Sequence, residues 1–302
     1  MNAGDLNKSI SGWRQYYEDR QGPSFSSTYS VREMHGTYEV GTEAAVRLSS
    51  RWSIGLGISF LPFSRKGEIS TKLATQENYT HSQTQWGTVS LEETTSQSPS
   101  YEIETVPLTL SIYYLLPLGG KYHLCLGGGG GLYLGRYSYK EEYSYRFNYI
   151  DDQYSANSSV QYVDDYSSAG EYSETAKTQA FGLHATAALD IRISPAFFIS
   201  FEVLGRWVNL GGWEGEKTDS YDWSHIWGLW GAYSDNGDVE ESYDGKLWRV
   251  DVRSNQSGKS YPHLVFSEEE PVSADYAAVK PANVSLSGFS ARIGFKFKFG
   301  KG

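Results

Sequence analysis

Residues 287–300, SGFSARIGFKFKFG, alternate between two chemistries almost without a break. Phe289, Ala291, Ile293, Phe295, Phe297 and Phe299 fall on one face of an extended chain, and Ser290, Arg292, Gly294, Lys296 and Lys298 on the other. That period of two predicts a strand with unlike faces. An aliphatic and aromatic face opposed by Arg and Lys suits lipid on one side and a wet, charged interior on the other.

The alternation recurs six times upstream. Phe197, Ile199, Phe201, Val203, Gly205 and Trp207 oppose Phe198, Ser200, Glu202, Leu204 and Arg206. Phe181, Leu183, Leu189, Ile191 and Ile193 oppose Gly182, His184, Thr186, Asp190 and Arg192. Tyr122, Leu124, Leu126, Leu132 and Leu134 oppose His123, Cys125 and Tyr133 across five consecutive glycines, 127–131, which predict sharp curvature or room for bulky neighbours. Three further rows begin at Val106, Trp52 and Tyr38, the last of them opposed by Glu39, Glu43 and Arg47. Seven strands are predicted, and no segment has helical periodicity strong enough to matter.

The connections fall into two classes. Residues 48–52, 116–122 and 193–197 are short and carry turn signals, whereas 64–101, 136–179 and 211–283 are long, polar and rich in Tyr, Ser, Asp, Glu and Gly. Short and long alternate, as in an antiparallel up-and-down transmembrane β-barrel with short periplasmic turns and long extracellular loops. Aromatic residues gather where strands would leave the hydrocarbon: Trp52, Tyr114, Tyr122, Phe197, Phe297 and Phe299 at the short-turn end, and Tyr133, Tyr137, Tyr139, Trp207 and Trp213 at the other. Within the 136–179 stretch, residues 138–147 predict a hairpin that continues its strand beyond the membrane and pairs with 172–179.

Composition changes this picture little. The 302 residues include 9 Trp, 24 Tyr and 13 Phe, carry a formal charge of −10, and lack any run of about 18 apolar residues, which excludes a helical span. The negative mean hydropathy of −0.49 fits a barrel, whose apolar residues occupy only alternate positions of short segments. One cysteine, Cys125, excludes an intrachain disulfide framework, and the acidic balance argues against nucleic acid.

The segment 105–135, TVPLTLSIYYLLPLGGKYHLCLGGGGGLYLG, resembles the Pro-containing descending strand, tight turn and Gly-rich ascending strand of the small outer-membrane β-barrel family, of the OmpW-like and OmpA-like eight-stranded type. The terminal strand supports the likeness, which covers about half of the chain. It implies a bacterial outer-membrane location, lipid as a partner, and an insertion machinery that reads the last strand. Family members commonly end on an aromatic residue; here Gly300, Lys301 and Gly302 follow Phe299. An even strand count and export would also require more than is visible. Residues 1–35 read as the remnant of a first extracellular loop and 36–302 as the barrel, and no basic n-region followed by an apolar h-region, hence no signal peptide, is seen within the sequence. The expectation is that a signal peptide and a first ascending strand lie upstream of Met1, the alternative being a mature chain trimmed of its signal alone.

By parity the interior receives Glu39, Glu43, Arg47, His184, Asp190, Arg192, Glu202, Arg206, Arg292 and Lys296. A small barrel is filled by its side chains, so these charges are expected to pair into a plug. His184 with Thr186, and His123 with Cys125, share a face as base and nucleophile would, but neither pair has an identifiable orienting group or oxyanion donor, so no enzyme is predicted. Asp235, Asn236, Gly237 and Asp238 lack EF-hand spacing, and no metal or cofactor is expected. The Trp-rich 220–233 segment has three readings: a leaflet contact, a cap on the barrel mouth, or a partner contact. Three functional classes follow: a structural or surface-interaction barrel with a charged plug, a passive conduit for small apolar molecules of the kind OmpW-like proteins suggest, and a soluble lipocalin-like ligand-binding barrel.

Overall fold

The computed structural model describes residues 25–29, 38–82, 85–155, 158–253 and 260–299. Of the expected remnant 1–35, only Phe25–Tyr29 is among them, and the residues after Phe299 lie outside. Fifteen strands and no helix occur among the described residues. In chain order they are β1 (Phe25–Tyr29), β2 (Val40–Arg47), β3 (Trp52–Lys66), β4 (Ile69–Ser82), β5 (Gln85–Gly119), β6 (Tyr122–Ser155), β7 (Ser158–Ser194), β8 (Phe197–Trp207), β9 (Asn209–Gly211), β10 (Glu214–Leu229), β11 (Tyr233–Arg253), β12 (Ser260–Ser267), β13 (Tyr276–Pro281), β14 (Asn283–Ser285) and β15 (Gly288–Phe297).

The lower part of the molecule is an antiparallel sheet in the order β2-β3-β5-β6-β7-β8-β15. These seven strands are the seven that the alternation marks. Side chains of β8 and β15 reach Glu39, which immediately precedes β2, so the sheet curls until its ends face each other. Among the described residues no backbone ladder joins β2 to β15, and the sheet is not closed.

Short turns hold the lower ends. Leu48 and Ser49 both donate their backbone N–H to the Trp52 carbonyl, at 2.8 and 3.2 Å, and the β5–β6 reversal places Gly119 and Gly120 at φ of 101° and 60°, a left-handed backbone that glycine adopts without steric cost.

The stretches read as long loops are strands over most of their length. β5, β6 and β7 run for 35, 34 and 37 residues, so each is about 110 Å long at roughly 3.3 Å per residue, several times what a tilted barrel strand needs to cross a bilayer. The β6–β7 ladder runs from Tyr122↔Ile191 to Ser155↔Ser158 with no register shift, and the expected hairpin lies inside it, with Ser138 opposite Thr175. Above the curled section the sheet order becomes β1-β4-β5-β6-β7-β10-β11-β12.

The change of neighbour happens on β7. Its residues 183–194 pair with β8, and residues 162–177 pair with β10. Between the two, the chain leaves β8, turns inward as β9 against β14, and reverses at Gly212, whose φ is +66°. The Trp-rich segment is the β10–β11 hairpin, in which Trp223 stacks on Tyr166 and Trp227 on Tyr233. Its tip at Trp230 stands about 50 Å, some 15 residues, above the first residue of β10.

The core sits where the two sections meet. Tyr133, Tyr137, Val208, Leu210, Trp213, Leu247, Phe266, Ala282 and Val284 are all at most 5 % exposed and form one apolar cluster across the top of the curled sheet. Tyr133, Tyr137 and Trp213, expected at an interface girdle, are therefore core residues. Tyr133 and Tyr137 lie on the inward parity of β6, and Trp213, between β9 and β10, donates its indole N–H to the Leu210 carbonyl at 3.1 Å.

Candidate functional site: a buried charge cluster under an apolar cap

Exposure alternates along β3, β5, β6, β7, β8 and β15 in step with the sequence pattern, but with the polarity of an ordinary soluble protein reversed, whereas every residue of β2 is exposed. On the outer face Leu56, Leu110, Phe181, Leu183, Phe289 and Ile293 are between 57 and 86 % exposed. On the inner face Ser111, His184, Thr186, Asp190, Ser200 and Arg206 are all at most 7 % exposed. Of the expected interface aromatics, Trp52, Tyr122, Trp207, Phe297 and Phe299 are exposed on the outer face, and Tyr114 packs at 4.9 Å from Trp52 there.

Glu39 is the hub of the inner face. It accepts from Arg206 at 2.5 Å, from Arg292, and from the Ser59 hydroxyl at 2.7 Å, with the Glu39 and Arg206 side chains only 6 and 8 % exposed. Arg292 turns its other nitrogen toward Glu202, at 3.7 Å, and Glu202 accepts from Thr186 at 2.8 Å. A second centre lies nearer the short turns, where Asp190 accepts from Lys296 at 2.9 Å and from Ser200 at 2.7 Å. Glu43 accepts from Tyr113 at 2.5 Å, and His184 Nε2 is 2.8 Å from the Ser111 hydroxyl. Four carboxylates and three cations thus line this face, and each carboxylate has at least one donor; Glu39, Arg206 and Asp190 are withdrawn from water, whereas Glu43 is exposed and Lys296 is 44 % exposed.

Arg47 and Arg192 are not part of this cluster. Arg47 ends β2 and is exposed, while Arg192 donates to the Gly120 carbonyl at 3.2 Å in the neighbouring turn. Both have inward parity but sit at the short-turn end, where a long side chain reaches solvent more easily than the interior. Sequence reasoning missed Ser59, Ser111, Tyr113 and Ser200. Their signal was inward parity combined with a hydroxyl, which is how a buried carboxylate or imidazole is satisfied.

The glycine run has a specific use. Gly129 lies between Ser111 and His184 in one cross-strand row, and Gly127 between Tyr113 and Thr186 in another. With no side chain at 129 the Ser111–His184 contact spans a strand, and the Tyr113 ring lies against the space a side chain at 127 would fill. Room for neighbours is the reason for these inward glycines.

His184 Nδ1 has no partner, so no carboxylate orients the imidazole, and the two groups sit under the cap. Cys125 is buried and 123 and 125 lie on one face, but His123 meets the ring of Phe198 at 5.9 Å. No group of three or more potential metal ligands occurs among the described residues, and 235–238 lie within β11.

Comparison of the chain with family models, curated proteins and solved structures finds no match.

Above the cap, one cross-strand row continues the inner face: Tyr101, Tyr139, Glu174, Lys217 and Tyr243 on five successive strands. The Lys217 ammonium lies 4.6 Å from the centre of the Tyr172 ring and 5.1 Å from that of Tyr243, a cation held between two π faces. Burial pushes the Glu174 carboxyl above the usual carboxylate range, against the opposing pull of hydrogen bonds from Tyr172 and Tyr137. Burial also raises Glu141, which accepts from Tyr139.

Proposed function

We propose that this chain is an outer-membrane β-barrel that stands as a tall surface platform over a plugged interior, in keeping with the resemblance of its 105–135 segment to small outer-membrane barrels. The observation that carries the reading is the reversed polarity of the lower strands, with Phe181 86 % and Phe289 83 % exposed outside and Asp190 6 % exposed inside. Water penalises that arrangement on both faces, whereas lipid outside and a charge-paired interior satisfy both.

Two consequences follow. Among the described residues nothing pairs with the outer edges of β2 and β15, and free backbone donors and acceptors are not tolerated in hydrocarbon, so in the membrane one more strand closes the curl between them and makes the count even. On this reading the paired charges and the apolar cap plug the interior, so the role lies in the sheet above the membrane, whose aromatic and acidic inner face suits contact with an extracellular partner.

A sideways conduit for apolar molecules has little in its favour at glycines 127–131, because both flanking ladders continue there without interruption. A lipocalin-like barrel requires an apolar interior at the level where Glu39, Glu202 and Arg206 lie. Refolding into detergent, transfer to liposomes and flotation after alkaline carbonate washing test the membrane reading. Protein that remains in solution without detergent and fails to float would overturn it. In planar bilayers the plugged interior predicts no steady conductance, and stable single-channel steps would refute the plug.

A further inference from the structure

The outer face carries an abrupt chemical boundary. Moving up each strand in outward parity, the continuous apolar run of the lower section ends at Phe60 on β3, Val106 on β5 and Leu134 on β6. One step higher in outward parity, a single cross-strand row reads Pro62, Glu104, Arg136, Lys177 and Glu214. Along this boundary runs a groove of about 790 Å³, bordered below by those apolar residues and above by the charged row. It stays open at its far end because β10 is reached through Gly211 and Gly212, which have no side chains to fill it.

Arg136 and Lys177 face each other directly across the β6–β7 ladder, and both are exposed. Like charges at directly opposed positions repel unless something neutral or negative lies between them. Glu104 and Glu214 occupy the flanking positions, yet neither basic residue makes an ion pair with any described residue. The two cations therefore stand side by side, each with an acid on its other flank to which it makes no ion pair, one step above an apolar belt, which on the membrane reading is the depth where lipid phosphates lie next to acyl chains.

We propose that this groove binds the phosphate of an outer-leaflet lipid between Arg136 and Lys177, with its acyl chain along Phe60, Val106 and Leu134. The guanidinium supplies a two-pronged donor and the ammonium a point charge, a pair that suits a phosphate oxygen cluster. Glu104 and Glu214 at the ends of the row accept from hydroxyl or ammonium groups of the headgroup, which gives the site a preference for polar headgroups over a bare phosphate. The proposal rests on the membrane reading, since it places the groove at an interface.

Native mass spectrometry of the detergent-solubilised full chain, titrated with phosphatidylglycerol, measures the site. Diacylglycerol, which lacks the phosphate, and inorganic phosphate, which lacks the chain, are the comparison ligands. Phosphatidylglycerol should be retained by the wild type, and the Arg136→Gln/Lys177→Gln pair should weaken it at least tenfold. The charge-preserving Arg136→Lys/Lys177→Arg pair should keep most of the affinity, and Lys140→Gln, on the same face but further up, should keep all of it. Equal retention in the Gln pair, equal retention of diacylglycerol, or displacement by inorganic phosphate at equal concentration would each overturn the proposal. A slow-migrating, strand-rich species on unheated gels verifies that each variant folds. A wild type that needs no detergent would defeat the membrane reading itself, whereas a detergent-dependent protein with a wild type-to-variant ratio of one would defeat only the lipid site.

Discussion

Replacing Glu39 by Gln separates a buried charge cluster from a decorative one. The carboxylate is the one described acid paired with Arg206, and both side chains are less than a tenth exposed. Arg292 keeps Glu202 at 3.7 Å, so the loss falls on Arg206, whose Nε already has no acceptor. Removing one partner of a buried pair leaves an uncompensated charge and costs about 3–5 kcal/mol. Gln retains a carbonyl acceptor, so Glu39→Gln belongs near the lower figure, about 3 kcal/mol, or a factor of roughly 150 in the folding equilibrium. The internal control is Glu92→Gln, which breaks the Lys72–Glu92 pair, 2.7 Å long but 50 and 54 % exposed, and should cost less than about 1 kcal/mol. Urea titration in detergent micelles, followed by tryptophan fluorescence, reports both. The double replacement Glu39→Leu/Arg206→Met, which removes both charges, should recover much of the lost stability. If Glu39→Gln and Glu92→Gln agree within about half a kcal/mol, the interior is wet enough to screen its charges and the plug described above does not exist.

Other expectations can be checked on the same material. Gly129→Val would drive a side chain into the Leu110 carbonyl and should abolish folding, while Gly130→Ala, whose added methyl group meets nothing nearer than 3.4 Å, should fold normally on unheated gels. Trp213→Ala removes a side chain 1 % exposed from the cap and should cost about 3–5 kcal/mol. It should also speed the reaction of buried Cys125 with a water-soluble maleimide, and an unchanged labelling rate would mean the cap does not guard the interior. Burial holds His263 down to about 4 from an ordinary 6.5, so the native state keeps it neutral. Its contribution is present above pH 6.5 and lost as the pH falls toward about 4, up to about 2 kcal/mol after allowance for its partial exposure. His263→Gln should flatten that part of the stability profile, and an identical profile would refute the assignment.

The lower strands were legible because each obeys one rule over its whole length. Phe289, Ile293 and Phe295 face out and Arg292 and Lys296 face in whatever their neighbours do, since a strand has only two faces. Parity does not give height along the strand, and height decides who pairs with whom. Arg206 and Arg192 have the same parity class, yet one meets Glu39 and the other a turn carbonyl. The cap was illegible for a different reason. Leu210, Trp213, Leu247, Phe266 and Val284 are single apolar residues scattered through polar text, with no period to mark them. They become a core only because β7 changes partner from β8 to β10, a non-local event that no local pattern records. The polar composition of 64–101 and 136–179 suggested irregular loops, but a two-sided strand standing in water needs little apolar surface when both of its edges are paired.

The unbroken β6–β7 ladder also has a mechanical meaning. Its rungs lie across the long axis and continue from the lower turn at Tyr122 to the tip at Ser155. A pull on the tip therefore loads both backbones together along their length and shears the ladders that tie them to β5 and β10, whose many rungs share the force instead of opening one after another. Such a stalk transmits tension from whatever it holds to its base with little stretching, as a rigid tether does, whereas an irregular loop of the same length would uncoil first.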